Sequence, residues 1–312
     1  MQKTTKINFL KLLLTVFILY ILCSIALRPQ FFLQTTFDGL CAWAVNVLPS
    51  LLPFVFFTKL LSHLGVVDKI SKVFAKVVEK LYKTPPLSAY CFFSSMISGY
   101  PVGAKVTADL YQAGKISRTD ACKMLSFCST SGPMFVIGAV GAGMFGSALA
   151  GYIIFASHLL GAFFNGIFYR KIKLKEFKNI AKPKEEKVFD LSSTILDCCH
   201  SVISVGAIIA IFFVVISSLS PLLSLFPSPI SAFLGGLVEL TKGCLDISST
   251  LPFKTAIICA SFIISFGGFS TMVQTQALTT HLKVPTTLLV LQKLTHALLS
   301  CLIATVMVLI IF

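Results

Sequence analysis

Long apolar runs alternate along the chain with short polar or basic stretches, a pattern typical of a protein that crosses a membrane several times. Five of the runs are long enough to span a bilayer as a helix of about 20 residues. These runs cover residues 7–27, 40–61, 148–169, 194–219 and 286–312. Pro49 and Pro53 lie inside the second run and predict a bend in that helix.

Two further apolar runs are interrupted by short polar segments that are rich in glycine. Residues 98–105 read Ser-Gly-Tyr-Pro-Val-Gly-Ala-Lys, and residues 265–271 read Ser-Phe-Gly-Gly-Phe-Ser-Thr. Irregular backbone at membrane depth survives only where it lines a cavity inside protein, because each unpaired group costs several kcal/mol in hydrocarbon. Interrupted hydrophobic segments in corresponding halves are the best sequence indication of a transporter's substrate site. We therefore predict two re-entrant helical hairpins, over residues 87–113 and 252–281.

Other segments show helical patterns of different kinds. In residues 66–83 apolar side chains fall on one helical face and five lysines on the other, which is typical of a helix lying in the membrane interface. Residues 228–240 form a shorter candidate for a second interfacial helix. Ser117 caps a helix that we expect to be interrupted over 129–133 and to resume over 134–145.

The order of these elements divides the chain into four parts. Residues 1–37 hold an N-terminal transmembrane helix, 38–169 a first repeat, 170–191 a basic linker and 192–312 a second repeat. Most of the 26 Lys and Arg fall on one side when both termini and the linker are cytoplasmic, as the positive-inside rule requires. The two halves then enter the membrane from opposite faces. The sequence thus predicts an all-α polytopic membrane protein with an inverted repeat of two re-entrant helical hairpins and broken transmembrane helices.

Composition narrows the classes of function. Hydrophobic residues make up 56% of the chain and charged residues 12%, which is typical of an integral membrane protein. A net charge of +14 would suit nucleic acid, but the basic residues lie between apolar spans, so we expect no nucleic-acid partner. Cys198, Cys199 and His200 lack the spacing of metal ligands, and we expect no metal, cofactor or disulfide. Lysines precede the run 7–27, but no cleavage site follows it, so we interpret it as a retained helix.

The motifs around the first interruption resemble a known family. Residues 98–105, followed by Gly-Lys-Ile-Ser at 114–117 and Ser-Gly-Pro-Met-Phe-Val-Ile-Gly at 131–138, resemble the nucleoside-recognition (Gate) domain family. Within it they are most similar to the sporulation integral membrane protein subgroup of endospore-forming bacteria. The resemblance extends from about residue 38 to the C-terminus, and residues 266–274 fit it. The order of elements is similar to that of concentrative nucleoside transporters.

This resemblance carries expectations about function and location. It implies a multi-pass protein of the cell membrane, or of the outer forespore membrane of a spore former. It also implies a transport or gating role in spore formation, and dipicolinate is the substrate proposed for the subgroup.

The interruptions supply the candidate substrate-binding residues. Each precedes a helix, so two helix N-termini with partial positive charge would face the middle of the membrane. Together with Lys105 they favour a small anion, and Tyr100 and Phe269 would stack on a planar ring. Snorkelling of Lys105 to the membrane surface is the alternative. The candidates are Ser98, Gly99, Tyr100, Pro101, Gly103, Lys105, Ser129, Thr130, Ser131, Gly267, Gly268, Phe269, Ser270, Thr271 and Gln274.

The remaining polar positions suggest fewer roles. Lys293 and His296 lie one turn apart in the last helix and would suit a proton relay, with hydrogen bonding inside the bundle as the alternative. Asp109, Asp197 and Glu239 are dispersed, and no catalytic constellation is present, so we expect no enzyme. We therefore predict a transporter or channel in the lipid bilayer for a small anionic metabolite. A nucleoside-type transporter and a non-transporting membrane assembly factor stay open, as does a homo-oligomer.

Overall fold

The structure, a computed structural model, describes residues 2–100, 102–176 and 190–312, and all regular structure within them is helical. The α-helices are α1 (Gln2–Leu27), α2 (Pro29–Ala42), α3 (Leu48–His63), α4 (Val66–Tyr82), α5 (Ser88–Ser98), α6 (Val102–Gln112), α7 (Arg118–Leu125), α8 (Ala148–Tyr169), α9 (Leu191–Ser218), α10 (Ser220–Leu223), α11 (Ser228–Val238), α12 (Leu240–Thr250), α13 (Phe253–Phe266), α14 (Gly268–Leu278) and α15 (Thr286–Ile311). Two π-helical segments, Trp43–Val47 and Met134–Met144, and a 3₁₀ helix, Thr280–Leu282, complete the set.

Four lengths of helix are long and apolar enough to cross a membrane. They are α8, α9, α15 and the stretch Phe253–Leu278, which contains α13 and α14. A fifth is added if Lys11–Leu27 and Pro29–Val47, which meet at an angle of 106°, are counted as one span. These assignments rest on length and composition within the described part of the chain. They confirm the prediction of an all-α polytopic membrane protein.

The centre of the molecule is formed by α8, α13 and α15, which pack side by side. Small residues let these helices approach closely, as is usual between helices in a membrane. The hydroxyl of Ser157 on α8 donates to the Ser261 hydroxyl on α13 at 3.2 Å. A Cβ atom added at Gly161 on α8 would collide with Ser300 on α15.

The helices α5 and α6 fold back on each other at Gly99. A Cβ atom at Gly103 on α6 would lie 2.7 Å from the Cβ of Ser95 on α5. Gly99 has a φ of 74°, which favours glycine, and its N–H donates to the Ser95 carbonyl at 2.7 Å. The first helical hairpin is therefore α5–α6.

A second fold-back lies at Glu239, earlier in the chain than predicted. Glu239 joins α11 to α12, and the backbones at Gly236 and Gly243 touch, so no side chain fits between these helices. Phe253–Leu278 instead runs as one membrane-spanning length that is interrupted at Gly267. The predicted hairpin over 252–281 is therefore wrong, whereas the position of residues 228–240 at the membrane interface stays a prediction. The physical reason is that the glycines of α11 let it pack closely against α12, so the fold-back of this half lies there.

The helix that follows Ser117 is interrupted as the sequence predicts. The Asp120 N–H donates to the Ser117 hydroxyl at 3.0 Å, which caps α7. The chain is non-helical over 129–132 before a π-helix begins at Met134. We call residues 129–132 the first break, and residues 266–268, between α13 and α14, the second break.

The amphipathic helix predicted over 66–83 is present as α4. Ser71 and Val78 are buried against the rest of the protein. Val73 and Val77, from the apolar face, are 75% and 58% exposed. An apolar surface of this kind on a helix that also carries lysines suits the boundary between lipid and water.

Candidate functional site

The first break, the start of α14 and two hairpin turns meet at one cavity of about 70 Å³, which we call the central cavity. The α5–α6 turn contributes Ser98, Gly99 and Tyr100, and the first break contributes Ser131 and Gly132. The α11–α12 turn adds Glu239, Leu240 and Thr241, and the start of α14 adds Ser270, Thr271 and Gln274. Apolar side chains from α3, α9 and the two π-helical segments close the remaining wall.

A second cavity of about 690 Å³, the vestibule, shares part of its lining with the central cavity. The shared residues are Leu51, Ser98, Tyr100, Val205, Ile208 and Gln274. Its lysine, histidine and aspartate side chains are Lys59, His63, Lys105, Asp109, Asp197 and His200. The central cavity is therefore a small, mainly apolar pocket with several polar side chains, beside a wide space whose walls carry charges of both signs.

Three side chains from three helices hold the first break. Ser95 on α5 accepts from the Thr130 N–H at 3.0 Å, and His158 on α8 accepts from the Ser131 N–H at 2.9 Å. Lys293 on α15 donates to the Ser129 carbonyl at 2.9 Å. Backbone groups that leave a helix must find partners when buried. Three of the backbone groups freed at the break are thus bonded to particular side chains.

His158 joins the first break to the end of α13. A backbone N–H can only donate, so the Nε2 atom that accepts from Ser131 carries no proton. The proton of neutral His158 therefore lies on Nδ1, which donates to the Ser265 hydroxyl at 2.8 Å. The Nε2–H of His296 donates to the His158 carbonyl at 2.9 Å. Protonation of His158 would break its bond to Ser131, so this arrangement requires the neutral ring.

Tyr100 crosses from the first hairpin to two other elements. Its hydroxyl donates to the Ile264 carbonyl at 3.3 Å and accepts from Lys293 Nζ at 3.0 Å. The Lys293 ammonium also lies 4.2 Å from the centre of the Tyr100 ring. Lys293 and His296 donate to separate acceptors. Both therefore take part in hydrogen bonding within the bundle, which was the alternative to a proton relay.

Several predicted residues lie away from the central cavity. Lys105 is exposed and lines the vestibule, whereas Gln274 lines both cavities. Phe269 is 48% exposed, packs edge-on against Phe266 and lines neither cavity. Thr130 and Ser129 are buried behind the cavity wall.

The predicted glycines serve the close approach of backbone segments, and Pro101 lies outside the described residues. Gly103 packs against the Cys128 carbonyl. Gly268 has a φ of 68°, and a Cβ there would lie 3.1 Å from the Val238 carbonyl oxygen. The Thr271 hydroxyl donates to the Gly267 carbonyl at 2.7 Å and so caps part of the second break.

Glu239 is the residue that the sequence analysis missed as a candidate for the site. Its side chain is 2% exposed, and its carboxylate accepts from the Lys242 N–H at 2.7 Å at the start of α12. An isolated carboxylate in an apolar stretch was the available signal, because such a group is costly in a membrane unless it is used. Among the described residues no group of three or more His, Cys, Asp or Glu is arranged to hold a metal ion.

Comparison with known proteins places this geometry in context. Residues 44–148, which contain the first hairpin and the first break, match the family model described as Gate, nucleoside recognition. The resemblance predicted from the sequence is confirmed. The sporulation integral membrane protein YlbJ of Bacillus subtilis (strain 168) is 28% identical over 309 residues, covering 86% of this chain and 75% of that protein.

Solved structures with a similar fold come from concentrative nucleoside transporters. A variant of CNTnw in an outward-facing state superposes with a TM-score of 0.50 at 14% identity, over 85% of this chain and 76% of that one. A second outward-facing variant gives a TM-score of 0.47 at 13% identity. At this level of identity the likeness shows the fold alone.

Proposed function

We propose that this protein is a membrane transporter or channel for a small anionic metabolite, with dipicolinate as the substrate, during spore formation. The observation that carries the proposal is the meeting of the first break, the start of α14 and two hairpin turns at one cavity that carries several polar side chains. Breaks of this kind, lined by backbone and hydroxyl groups, are where secondary transporters bind substrate. The sporulation name of the YlbJ relative supports the setting.

The proposed architecture is an inverted repeat. The first half would run hairpin α5–α6, interrupted α7, then α8, and the second half hairpin α11–α12, interrupted α13–α14, then α15. Arg118 at the start of α7 donates to the carbonyls of Lys175 and Leu282. The start of α7, the start of the linker and the loop before α15 therefore lie at the same end of the molecule. At the other end, Lys254 Nζ donates to the Phe312 carbonyl at 2.8 Å. The end of α15 therefore lies opposite the linker, and the expectation that the C-terminus and the linker share the cytoplasmic side does not hold in this arrangement. The hairpins would enter from these two opposite ends and meet at the cavity.

The distribution of charge suggests which end is cytoplasmic. The end that holds Arg118 and the start of the linker also carries most of the basic residues, which favours the cytoplasm. The vestibule extends along α3 from Leu51 to His63 and along α9 from Ile208 back to Asp197, so its far end lies near this end. The structure would therefore correspond to a state that is open to the cytoplasm.

The vestibule offers an anionic substrate two cationic side chains. Lys59 and Lys105 attract a dicarboxylate, and His63 and His200 add hydrogen-bond donors, whereas Asp109 and Asp197 repel it. The two lysines and the two aspartates cancel in formal charge, so the attraction comes from the lysines that a substrate passes and not from a net charge of the wall. Lys105 would act there at the entrance of the cavity and not at the hairpin turn.

Glu239 favours a second candidate, a nucleoside-like solute. A buried carboxylate beside Gln274, Ser270 and Thr271 would bind the hydroxyl groups of a neutral sugar. The family model carries the words nucleoside recognition, which agrees with this candidate. A dicarboxylate would instead meet Glu239 as a like charge.

The substitution Glu239→Gln separates the two candidates, because the amide keeps the oxygen that accepts from Lys242 and removes the charge. We expect wild-type protein in proteoliposomes to take up dipicolinate in preference to uridine, and the variant to take up dipicolinate at least as well. A nucleoside site would lose a charged hydrogen bond of about 1.5–3 kcal/mol, or roughly 10- to 150-fold in affinity for uridine.

Asp246→Asn on the same helix is the matched control, because Asp246 pairs with Lys242 and lines neither cavity. If the wild-type protein takes up uridine but not dipicolinate, and Glu239→Gln abolishes that uptake, the protein is a nucleoside transporter. Uptake of neither solute by wild-type protein would favour a non-transporting assembly factor.

A further inference from the structure

We infer that the first break is a monovalent cation site and that the ammonium of Lys293 occupies it permanently, so that the protein carries its own cation. The inference goes beyond the proposed function, because it concerns what holds the site together and not which substrate passes through it.

The ligands around the ammonium are those of a cation site. Lys293 Nζ lies 2.9 Å from the Ser129 carbonyl oxygen, 2.8 Å from the Ser129 hydroxyl and 3.0 Å from the Tyr100 hydroxyl. An ammonium has three protons to donate, and these three oxygens match them. Carbonyls freed where a helix unwinds are also the groups that coordinate coupling cations in transporters built from broken helices.

No carboxylate explains the position of this lysine. Among the described residues no Asp or Glu forms an ion pair with Lys293, although its side chain is only 3% exposed. A charged lysine at membrane depth is costly unless something uses it. Here the oxygen dipoles of the break and the face of the Tyr100 ring, 4.2 Å away, provide the compensation.

The ammonium connects the first break to the turn of the first hairpin and, through Tyr100, to the end of α13. It binds Ser129 in the first break and Tyr100 in the turn of the first hairpin. Tyr100 in turn donates to the Ile264 carbonyl, near the end of α13. A cation at this point therefore fixes Tyr100 in the cavity wall. A tethered cation does this without any ion from solution, so this site in the wild-type protein needs neither Na⁺ nor K⁺.

The test measures thermal unfolding of the purified protein in detergent, without substrate, in chloride salts of choline, Na⁺, K⁺, ammonium and methylammonium. Wild-type protein is expected to unfold at the same temperature in all five salts. In Lys293→Ala the emptied site should bind a small cation. The midpoint should then rise by about 2–4 °C in at least one small-cation salt relative to choline, which is too large to enter.

Two further variants control the result. Lys293→Met fills the site with an apolar side chain of similar length and should show no difference between the salts. Lys242→Ala removes a lysine that pairs with Asp246 on α12 and should respond like wild type. If Lys293→Ala cannot be purified in choline, its recovery as folded protein in methylammonium becomes the readout.

Equal midpoints of Lys293→Ala in all salts, or no recovery in methylammonium, would overturn the inference and leave Lys293 as an ordinary hydrogen-bond donor. A rise with Na⁺ or K⁺ in the wild-type protein would also overturn it, because the site would then take its cation from solution. Neither result depends on transport, so failure here is distinguishable from failure of the proposed function.

Discussion

At the scale of single residues, position relative to the two cavities decides what a charged side chain does. Lys105 and Lys293 are both lysines on helices that border the site, yet Lys105 is exposed in the vestibule and Lys293 is 3% exposed behind Tyr100. A solvent-exposed charge acts at a distance and is screened by salt, whereas a buried one acts through fixed contacts. The two residues therefore call for different experiments.

Lys105→Ala is expected to lower dipicolinate uptake a few-fold at low ionic strength, because the vestibule loses attraction for an anion. The difference from wild type should shrink at about 0.15 M salt, where charges more than about 8 Å apart are screened. Lys105→Arg should retain most of the activity, because it keeps the charge. Initial rates in proteoliposomes at several salt concentrations provide the measurement.

Lys115→Ala, at an exposed lysine that lines neither cavity, is the control for loss of charge in the same region. A loss greater than about tenfold in Lys105→Ala that does not change with salt would indicate direct contact with bound substrate. That outcome would contradict a role in the vestibule.

At the scale of elements, both hairpins depend on glycine where backbone segments touch. Gly99 of the first turn approaches Gly132 of the first break, and a Cβ at Gly99 would lie 2.5 Å from the Gly132 nitrogen. In the second half, Gly268 approaches the carbonyl of Val238 beside the α11–α12 turn. Each break is thereby pressed against the turn of a hairpin, and this contact forms the central cavity.

Gly268→Ala should lower the free energy of unfolding and reduce uptake, because it adds a Cβ at a φ of 68° and at 3.1 Å from Val238. Gly146→Ala is the matched control: its φ is 62°, but no atom lies within 4 Å of the added Cβ. The strain of positive φ costs about 1 kcal/mol in each. Thermal unfolding and uptake at matched expression should both be worse for Gly268→Ala. Equal behaviour of the two variants would mean that the contact with Val238 is unimportant.

At the scale of the whole molecule, hydrogen bonds at each end of the helix bundle show which loops lie on the same side of the membrane. Arg118 donates to the carbonyls of Lys175, Leu282 and Lys283, which joins the start of α7 to the linker and to the loop before α15. The loop between α10 and α11 lies at the opposite end of α9 from the linker. If the basic end is cytoplasmic, these two regions must differ in their access from outside.

Single cysteines at Lys173 and Ser224, both exposed positions, test this orientation on a cysteine-depleted background. In intact cells an impermeant thiol reagent should label Ser224→Cys readily and label Lys173→Cys only after the membrane is opened. The opposite pattern would reverse the orientation of the whole protein. Labelling of both positions after the membrane is opened is the control for accessibility.

The sequence by itself determined the class of the protein and the place of the first hairpin and first break. Apolar run length, glycine and proline are local signals. As these signals predict, α5 ends at Gly99 and the helix after Ser117 is interrupted within 129–133. The family resemblance rested on those same motifs. These features were accessible because each depends on residues that are neighbours in the chain.

Only the tertiary structure decided which interruption of the second half becomes a hairpin and which side chains complete the cavity. The fold-back at Glu239 depends on contact between Gly236 and Gly243, whereas Gly267 interrupts a helix that continues as α14. Lys293 reaches Ser129 across 164 positions of sequence, a pairing that no local periodicity contains. Burial in the packed bundle, rather than residue type, is what turned Glu239 and Lys293 into parts of the site and left Lys105 in the vestibule.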